Sequence, residues 1–233
     1  MKTCILSIIL LLIHLKSFAQ DCQNYYYLSN NSEVVITMYD RKSKESGKNV
    51  YKISEVNKVG KSLSSTLNFS VYDEKGKPIT NGAGRFKCHG AGIDVDMRMS
   101  VPNDQMQTYK DMEIKAADAY LSYPSSMNAG QSLPDGNFSM EVTSKGTLFS
   151  TVTYEVVNRK VAGKEAVSSP AGNWEGYKIT SDATMRIKMM GVGIPMNLHV
   201  TEWFVPGFGV VKTETYNKNG KLMGSTLLTS IKK

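Results

Sequence analysis

The feature that most constrains this chain is a two-residue alternation of apolar and polar side chains that returns from end to end, interrupted by short runs of turn-forming residues. In residues 63–72, Leu63, Leu67, Phe69 and Val71 alternate with Ser64, Thr66, Asn68 and Ser70. Neighbouring strand side chains point to opposite faces, so this spacing makes a half-buried strand and cannot make a helical stripe. The pattern returns at Ile93, Val95, Met97 and Met99 against Asp94, Asp96 and Arg98, and at Phe138, Met140 and Val142 against Ser139, Glu141 and Thr143. It continues through Thr147 to Val157, Trp174 to Thr180 and Thr184 to Met190. Near the C-terminus two β-rich runs flank Asn219-Gly220, a pair suited to the positive φ angles of a hairpin turn.

Turn chemistry divides these runs. Tyr72-Asp73-Glu74-Lys75-Gly76-Lys77 and Tyr216-Asn217-Lys218-Asn219-Gly220-Lys221 share one grammar, so one kind of turn is used twice. A two-residue loop at Asn219-Gly220 places Tyr216 opposite Met223, and a longer loop starting at Asn217 relieves the meeting of Lys218 with Lys221. His89-Gly90-Ala91-Gly92 and Ala162-Gly163 read as further turns, and Gly191 and Gly193 before Pro195 read as a break. Only Pro102 to Asp111 changes period: Asn103 can cap a helix, with Met106, Tyr109 and Met112 along it. The predicted fold is all-β with one short helix, over Asn103 to Asp111, lying against a single curved antiparallel sheet. The sheet is an up-and-down meander that curls into a half-barrel, with one dry face and one wet face.

Residues 1–19 read as a signal peptide: Lys2, an apolar run from Cys4 to Leu15, then Ser17-Phe18-Ala19. The run is short of the roughly 20 apolar residues of a membrane span. Gln20-Asp21 before Cys22 are not small, so plain cleavage is expected over lipidation. Residues 20–233 are then one β-sheet domain, secreted or periplasmic. Without Lys2 and Lys16 the exported chain carries 26 basic and 21 acidic side chains, too mild and too dispersed a surplus for a nucleic-acid partner. Cys22 and Cys88 are its remaining thiols, and export favours their pairing as a disulfide.

An ordered series of short motifs runs through the chain. It comprises Tyr123-Pro124, Gly130, Leu133-Pro134-Asp135-Gly136, Asn158-Arg159-Lys160-Val161, Ser169-Pro170-Ala171-Gly172 and Tyr177-Lys178. Trp203, Gly207, Gly209-Val210-Val211-Lys212 and Gly220-Lys221-Leu222 follow. Taken together the series resembles the TapB family of exported proteins, a domain of unknown function 3108-like. The resemblance implies a fold similar to the lipoprotein carriers LolA and LolB, a curved antiparallel sheet with a helix on its concave side. It brings no activity, cofactor or catalytic residue.

Catalytic constellations are weak. Cys88 and His89 are adjacent on a strand and point apart, and a disulfide removes the nucleophile. Asp94 and Asp96 share a face, roughly 6–7 Å apart along the backbone, and with Arg98 two residues on they read as a solvated, charge-balanced outer face. His199 reads as a satisfied or exposed strand histidine, and no histidine–cysteine set completes a metal site. Methionine is the unusual residue. Met97, Met99, Met106 and Met112 cluster in one half and Met185, Met189, Met190 and Met196 in the other. They suit a core, or a deformable apolar cavity. The expected function is therefore an exported, non-enzymatic binding or carrier domain for an apolar small molecule or lipid, without cofactor or metal. Its lining is expected to include Met97, Met99, Met106, Met185, Met189 and Trp203. The alternatives are an envelope protein that binds a partner through its sheet, and a hydrolase at Asp94, Asp96 or His89.

Overall fold

The computed structural model describes residues 22–100, 112–189 and 192–233. The expected signal peptide, Met106, Met190 and the helix expected over Asn103 to Asp111 lie outside these residues. Within them the chain forms thirteen strands: β1 (Glu33–Asp40), β2 (Glu45–Val59), β3 (Ser62–Asp73), β4 (Pro78–His89), β5 (Gly92–Asp96), β6 (Glu113–Ala116), β7 (Tyr120–Pro124), β8 (Gly136–Ser144), β9 (Thr147–Ser169), β10 (Gly172–Met189), β11 (Val192–Val205), β12 (Gly209–Asn217) and β13 (Leu222–Lys232). Short 3₁₀ turns at Cys22–Asn24, Tyr26–Leu28 and Met97–Ser100 are the helical pieces among the described residues.

All strands join one antiparallel sheet in the order β6-β8-β9-β10-β11-β12-β13-β1-β2-β3-β4-β5-β7. It is the expected meander with two departures: β13 pairs with β1, and β6 and β7 form opposite edges although only residues 117–119 separate them. So short a link spans at most about 14 Å. The sheet must therefore curl until its edges approach, which makes the half-barrel.

Local chemistry sets the turns. At β12–β13 the Asn217 carbonyl accepts the Gly220 N–H at 2.9 Å and the Asn217 N–H donates to Lys221 O at 2.9 Å, so the longer loop forms and Tyr216 stands opposite Leu222. The Asn217 side-chain oxygen also takes the N–H groups of Asn219 and Lys221. Asp73 organises β3–β4 in the same way with Gly76 at φ 77°, and Asp40 organises β1–β2 with Ser43 at φ 60°. One turn is thus used three times, the third hidden because serine stands where glycine signals the left-handed position.

Two expected interruptions are bulges instead. β9 runs straight through Ala162-Gly163, where Ala162 is the extra residue between the pairs Lys178–Gly163 and Ile179–Val161. β10 is likewise continuous, with a second register shift between Thr180 and Asp182. A bulge adds a residue and bends a strand without reversing it. Conversely, the strand expected from Ile93 to Met99 ends at Asp96 and turns into the 3₁₀ segment.

The inner face holds the core: Leu67, Phe86, Phe138, Val152, Ile179, Met185 and Phe204 are all buried. The chain seals one end of the half-barrel with its own N-terminal segment. Tyr27 stacks on Phe86 at 3.9 Å, Tyr26 packs on Phe208 at 5.0 Å and Tyr25 lies 6.5 Å from Phe204. Ser65 Oγ donates to Tyr27 O at 2.6 Å, and Tyr26 Oη donates to Val210 O at 2.6 Å. Beside this plug the Cys22–Cys88 disulfide forms as expected, with Cα atoms 5.8 Å apart.

Candidate functional site

Because neighbouring strands are antiparallel, the turns β1–β2, β3–β4, β8–β9 and β12–β13 fall at one end of the sheet, opposite the plug. There β9, β10 and β11 form a tall wall. Cross-strand pairs Met185–Met196, Ile187–Ile194 and Met189–Val192 put these six side chains on the face that carries buried Ala183 and Leu198 lower down. Toward the rim this face emerges from the core: Met196 is 36% exposed, Met189 42%, Leu148 57%, Val192 72% and Ile194 79%. β12 pairs with β11 only from Leu198 onward, so residues 192–197 have no strand partner on that side among the described residues. At about 3.3 Å per residue the overhang is roughly 20 Å. Pro195 fits there because a residue without an N–H is tolerated on an unpaired edge.

Deeper on the concave side lies a polar cluster. Glu202 follows the inward parity of Val200 and Phe204, and Tyr123 Oη donates to its carboxyl oxygens at 3.0 and 3.2 Å. Burial raises the Glu202 pKa, while Arg159 and the Tyr123 hydrogen bond pull it back down. Tyr123 also stacks on Phe204 at 4.6 Å and lies under the Arg159 guanidinium at 4.7 Å. Arg159, 1% exposed, reaches across the curl, where Nη1 donates to Ser122 O at 3.0 Å and Pro134 O at 2.8 Å. It therefore latches β9 to β7 and to the β7–β8 loop, while its Nε and Nη2 have no hydrogen-bond partner among the described residues.

The residues expected to line a cavity are dispersed. Met185 is buried in the wall and Met189 stands at its lip, so these two come together, joined by Met196. Met97 is fully buried against Gly136, at the far end of β8 from the rim, and Met99 packs beside Gly84. Trp203 lies on the opposite face from Glu202, directly across from Lys178 and Lys212. Both ammonium groups lie over its ring, at 5.3 and 4.3 Å, and its Nε1 donates to Glu165 at 2.6 Å. The lip residues Val192 and Ile194 escaped the sequence reading because Gly191, Gly193 and Pro195 look like breakers. Their period-two spacing with Met196, Leu198 and Val200 was the available signal.

The polar residues considered for catalysis are engaged by neighbouring side chains. Asp96 is not on a solvated face as expected but fully buried, because the strand ends there and its carboxylate accepts the Arg85 and Arg98 N–H groups and a two-pronged contact from the Arg98 guanidinium. Asp94 accepts Ser122 Oγ at 2.6 Å and lies 3.3 Å from His89 Nε2. A carboxylate between a hydroxyl and an imidazole leaves the histidine unable to activate that hydroxyl. On the outer face His199 Nδ1 lies 2.5 Å from Asp182, which also accepts Asn158 Nδ2 at 2.8 Å. The Asn158 hydrogen bond first, then the histidine, hold the Asp182 pKa low despite some burial. Among the described residues no three His, Cys, Asp or Glu side chains converge as a metal site, and no helix is long and apolar enough to cross a membrane.

Comparison with known proteins places this architecture. The DUF3108-like family profile matches residues 30–228. A crystal structure of a protein from Bacteroides fragilis NCTC 9343, described as exported and of YmcC-like fold, superposes with TM-score 0.74 at 20% identity, covering 88% of this chain and 97% of the other. A protein from Parabacteroides distasonis ATCC 8503, described as a lipoprotein, gives TM-score 0.76 at 16% identity over 89% of this chain and 98% of the other. At these identities the likeness is one of fold. Among curated proteins none matches.

Proposed function

We propose that this chain, which belongs to the DUF3108-like family, is an exported, non-enzymatic binding or carrier domain for an apolar or lipid-like ligand held at the open end of its concave face. The observation that carries the reading is the asymmetry of the half-barrel. One end is stoppered by Tyr25, Tyr26 and Tyr27, while at the other the inner face continues outward as bare Met189, Val192 and Ile194. An apolar surface that runs out of a core into solvent costs free energy unless something covers it. Met185, Met189 and Met196 give that surface the adaptability suited to chains of varied shape. Export is supported by the Cys22–Cys88 disulfide and by the exported and lipoprotein descriptions of its structural relatives. The non-enzymatic reading is supported by the contacts that occupy Asp94, Asp96 and His89, with one another and with Ser122 and Arg98.

The test is mass spectrometry of organic extracts from natively purified protein, beside fluorescent fatty-acid binding to wild type and Met189→Asp. The expected result is a co-purifying apolar compound and a probe signal weakened in the variant. If nothing co-purifies and the probe binds both proteins equally poorly, the carrier reading falls. The unpaired β11 edge at residues 192–197 favours the alternative of a protein partner adding a strand there.

A further inference from the structure

The two ends of the sheet differ in charge as sharply as in apolarity. At the plugged end, residues 59–62, 89–92, 169–172 and 205–209 contain a single charged side chain, Lys61, besides His89. At the open end, residues 40–44, 73–77, 144–147, 186–189 and 217–221 contain ten basic and three acidic side chains. Those three acids are already engaged. Asp40 and Asp73 each accept two N–H groups of their own turn, and Glu74 pairs with Lys44 at 3.0 Å, bridging neighbouring turns. Arg41, Lys42, Lys75, Lys77, Lys218 and Lys221 sit at the turns with no acid between the pairs. On the hairpin wall, Arg186 and Lys188 alternate with Ile187 and Met189, so one strand presents bases outward and apolar side chains inward.

We propose that this open end docks on an anionic lipid surface, with Val192, Ile194 and Met189 entering the interface and the basic turns lying on the headgroups. Apolar side chains ringed by lysine and arginine at one pole match the two components of interfacial binding, burial among acyl chains and attraction to negative headgroups. A water-soluble acidic protein would satisfy the bases and leave the lip exposed, whereas a neutral bilayer would cover the lip and leave the bases unpaired. An anionic bilayer does both. The overhang of the wall above β12 lets the lip reach the interface before the rest of the rim does. This docking does not depend on the carrier reading, although it would deliver a lipid directly to the concave face.

The experiment is flotation of the exported chain with vesicles of phosphatidylglycerol and phosphatidylcholine in equal parts, and with phosphatidylcholine alone. Alongside are run Val192→Asp with Ile194→Asp, and Lys218→Glu with Lys221→Glu, with melting curves to show that both fold. Wild type floats with the mixed vesicles and not with phosphatidylcholine, and added salt releases it. Each lysine lost lowers the affinity about fivefold at low salt, so the lysine variant, which also adds two acids, falls by at least about 25-fold. The lip variant stays at the bottom although its melting is unchanged. Equal binding to both vesicles, no binding to either, or undiminished binding by the folded lip variant each overturns the proposal. So does a dimer in sedimentation that the lip variant dissolves while no vesicle is bound, which would make the rim an interface between copies of the chain.

Discussion

Replacing Cys22 and Cys88 together by alanine tests how the plugged end is held. The bridge joins residues 66 apart in sequence, so in the unfolded chain it closes a loop of that length. With the loop-closure relation this removes about 4 kcal/mol of unfolded-state entropy at room temperature. Both cysteines are buried, so alanine adds no buried hydroxyl and the chain-entropy contribution dominates. For a domain of this size 4 kcal/mol corresponds to a fall in Tm of roughly 8–16 °C. The assay is thermal unfolding of wild type and the double variant, each with and without reductant. Reductant should lower wild type to the variant and leave the variant unmoved. Thiol labelling of the denatured, unreduced protein should find no free thiols in wild type. Two free thiols per chain, or equal melting of wild type with and without reductant, would refute the reasoning and assign the hold on the N-terminal segment to the tyrosine plug alone.

Glu202→Gln should stabilise the protein near neutral pH. Folding raises this carboxyl above its ordinary 4.5, so its partly buried charge costs stability at higher pH and the cost vanishes as pH falls below 4.5. Melting of wild type and variant should therefore converge on acidification, and a gain that persists at acid pH would show a different cause. Gly209→Ala should lower stability by more than about 1 kcal/mol in urea unfolding. At Gly209 φ is 133° and a Cβ would stand 2.6 Å from the Tyr26 ring, so unchanged unfolding would mean that the plug shifts freely. Ile194→Asp, at a mostly exposed position, should change stability by no more than about 0.5 kcal/mol while weakening fatty-acid binding. A large loss of stability would place that side chain in the core.

The sequence by itself determined the strands β3, β8, β12 and β13, most of β9 and β10 with their alternating faces, two of the three matching turns and the cysteine pairing. Each rests on chemistry within a few residues: side-chain parity, an Asp or Asn that folds back on its own turn, a glycine at positive φ. The Asp40 turn was hidden because serine occupies its left-handed position, and the bulges at Ala162 and at Asn158-Arg159, opposite Ser181, passed for breaks, because local composition cannot tell a bent strand from a reversed one. Tertiary structure alone decided which residues meet. The alternation at Glu202-Trp203-Phe204 is plain, yet that the carboxylate faces inward to Tyr123 while Trp203 lies outside under Lys178 and Lys212 depends on strands distant in sequence. The jump of β6 to the far edge, the latch of Arg159 across the curl, and the gathering of the basic turns and the apolar lip at one pole follow from the closure of the sheet. No segment of the chain carries that information, because closure is a property of thirteen strands together.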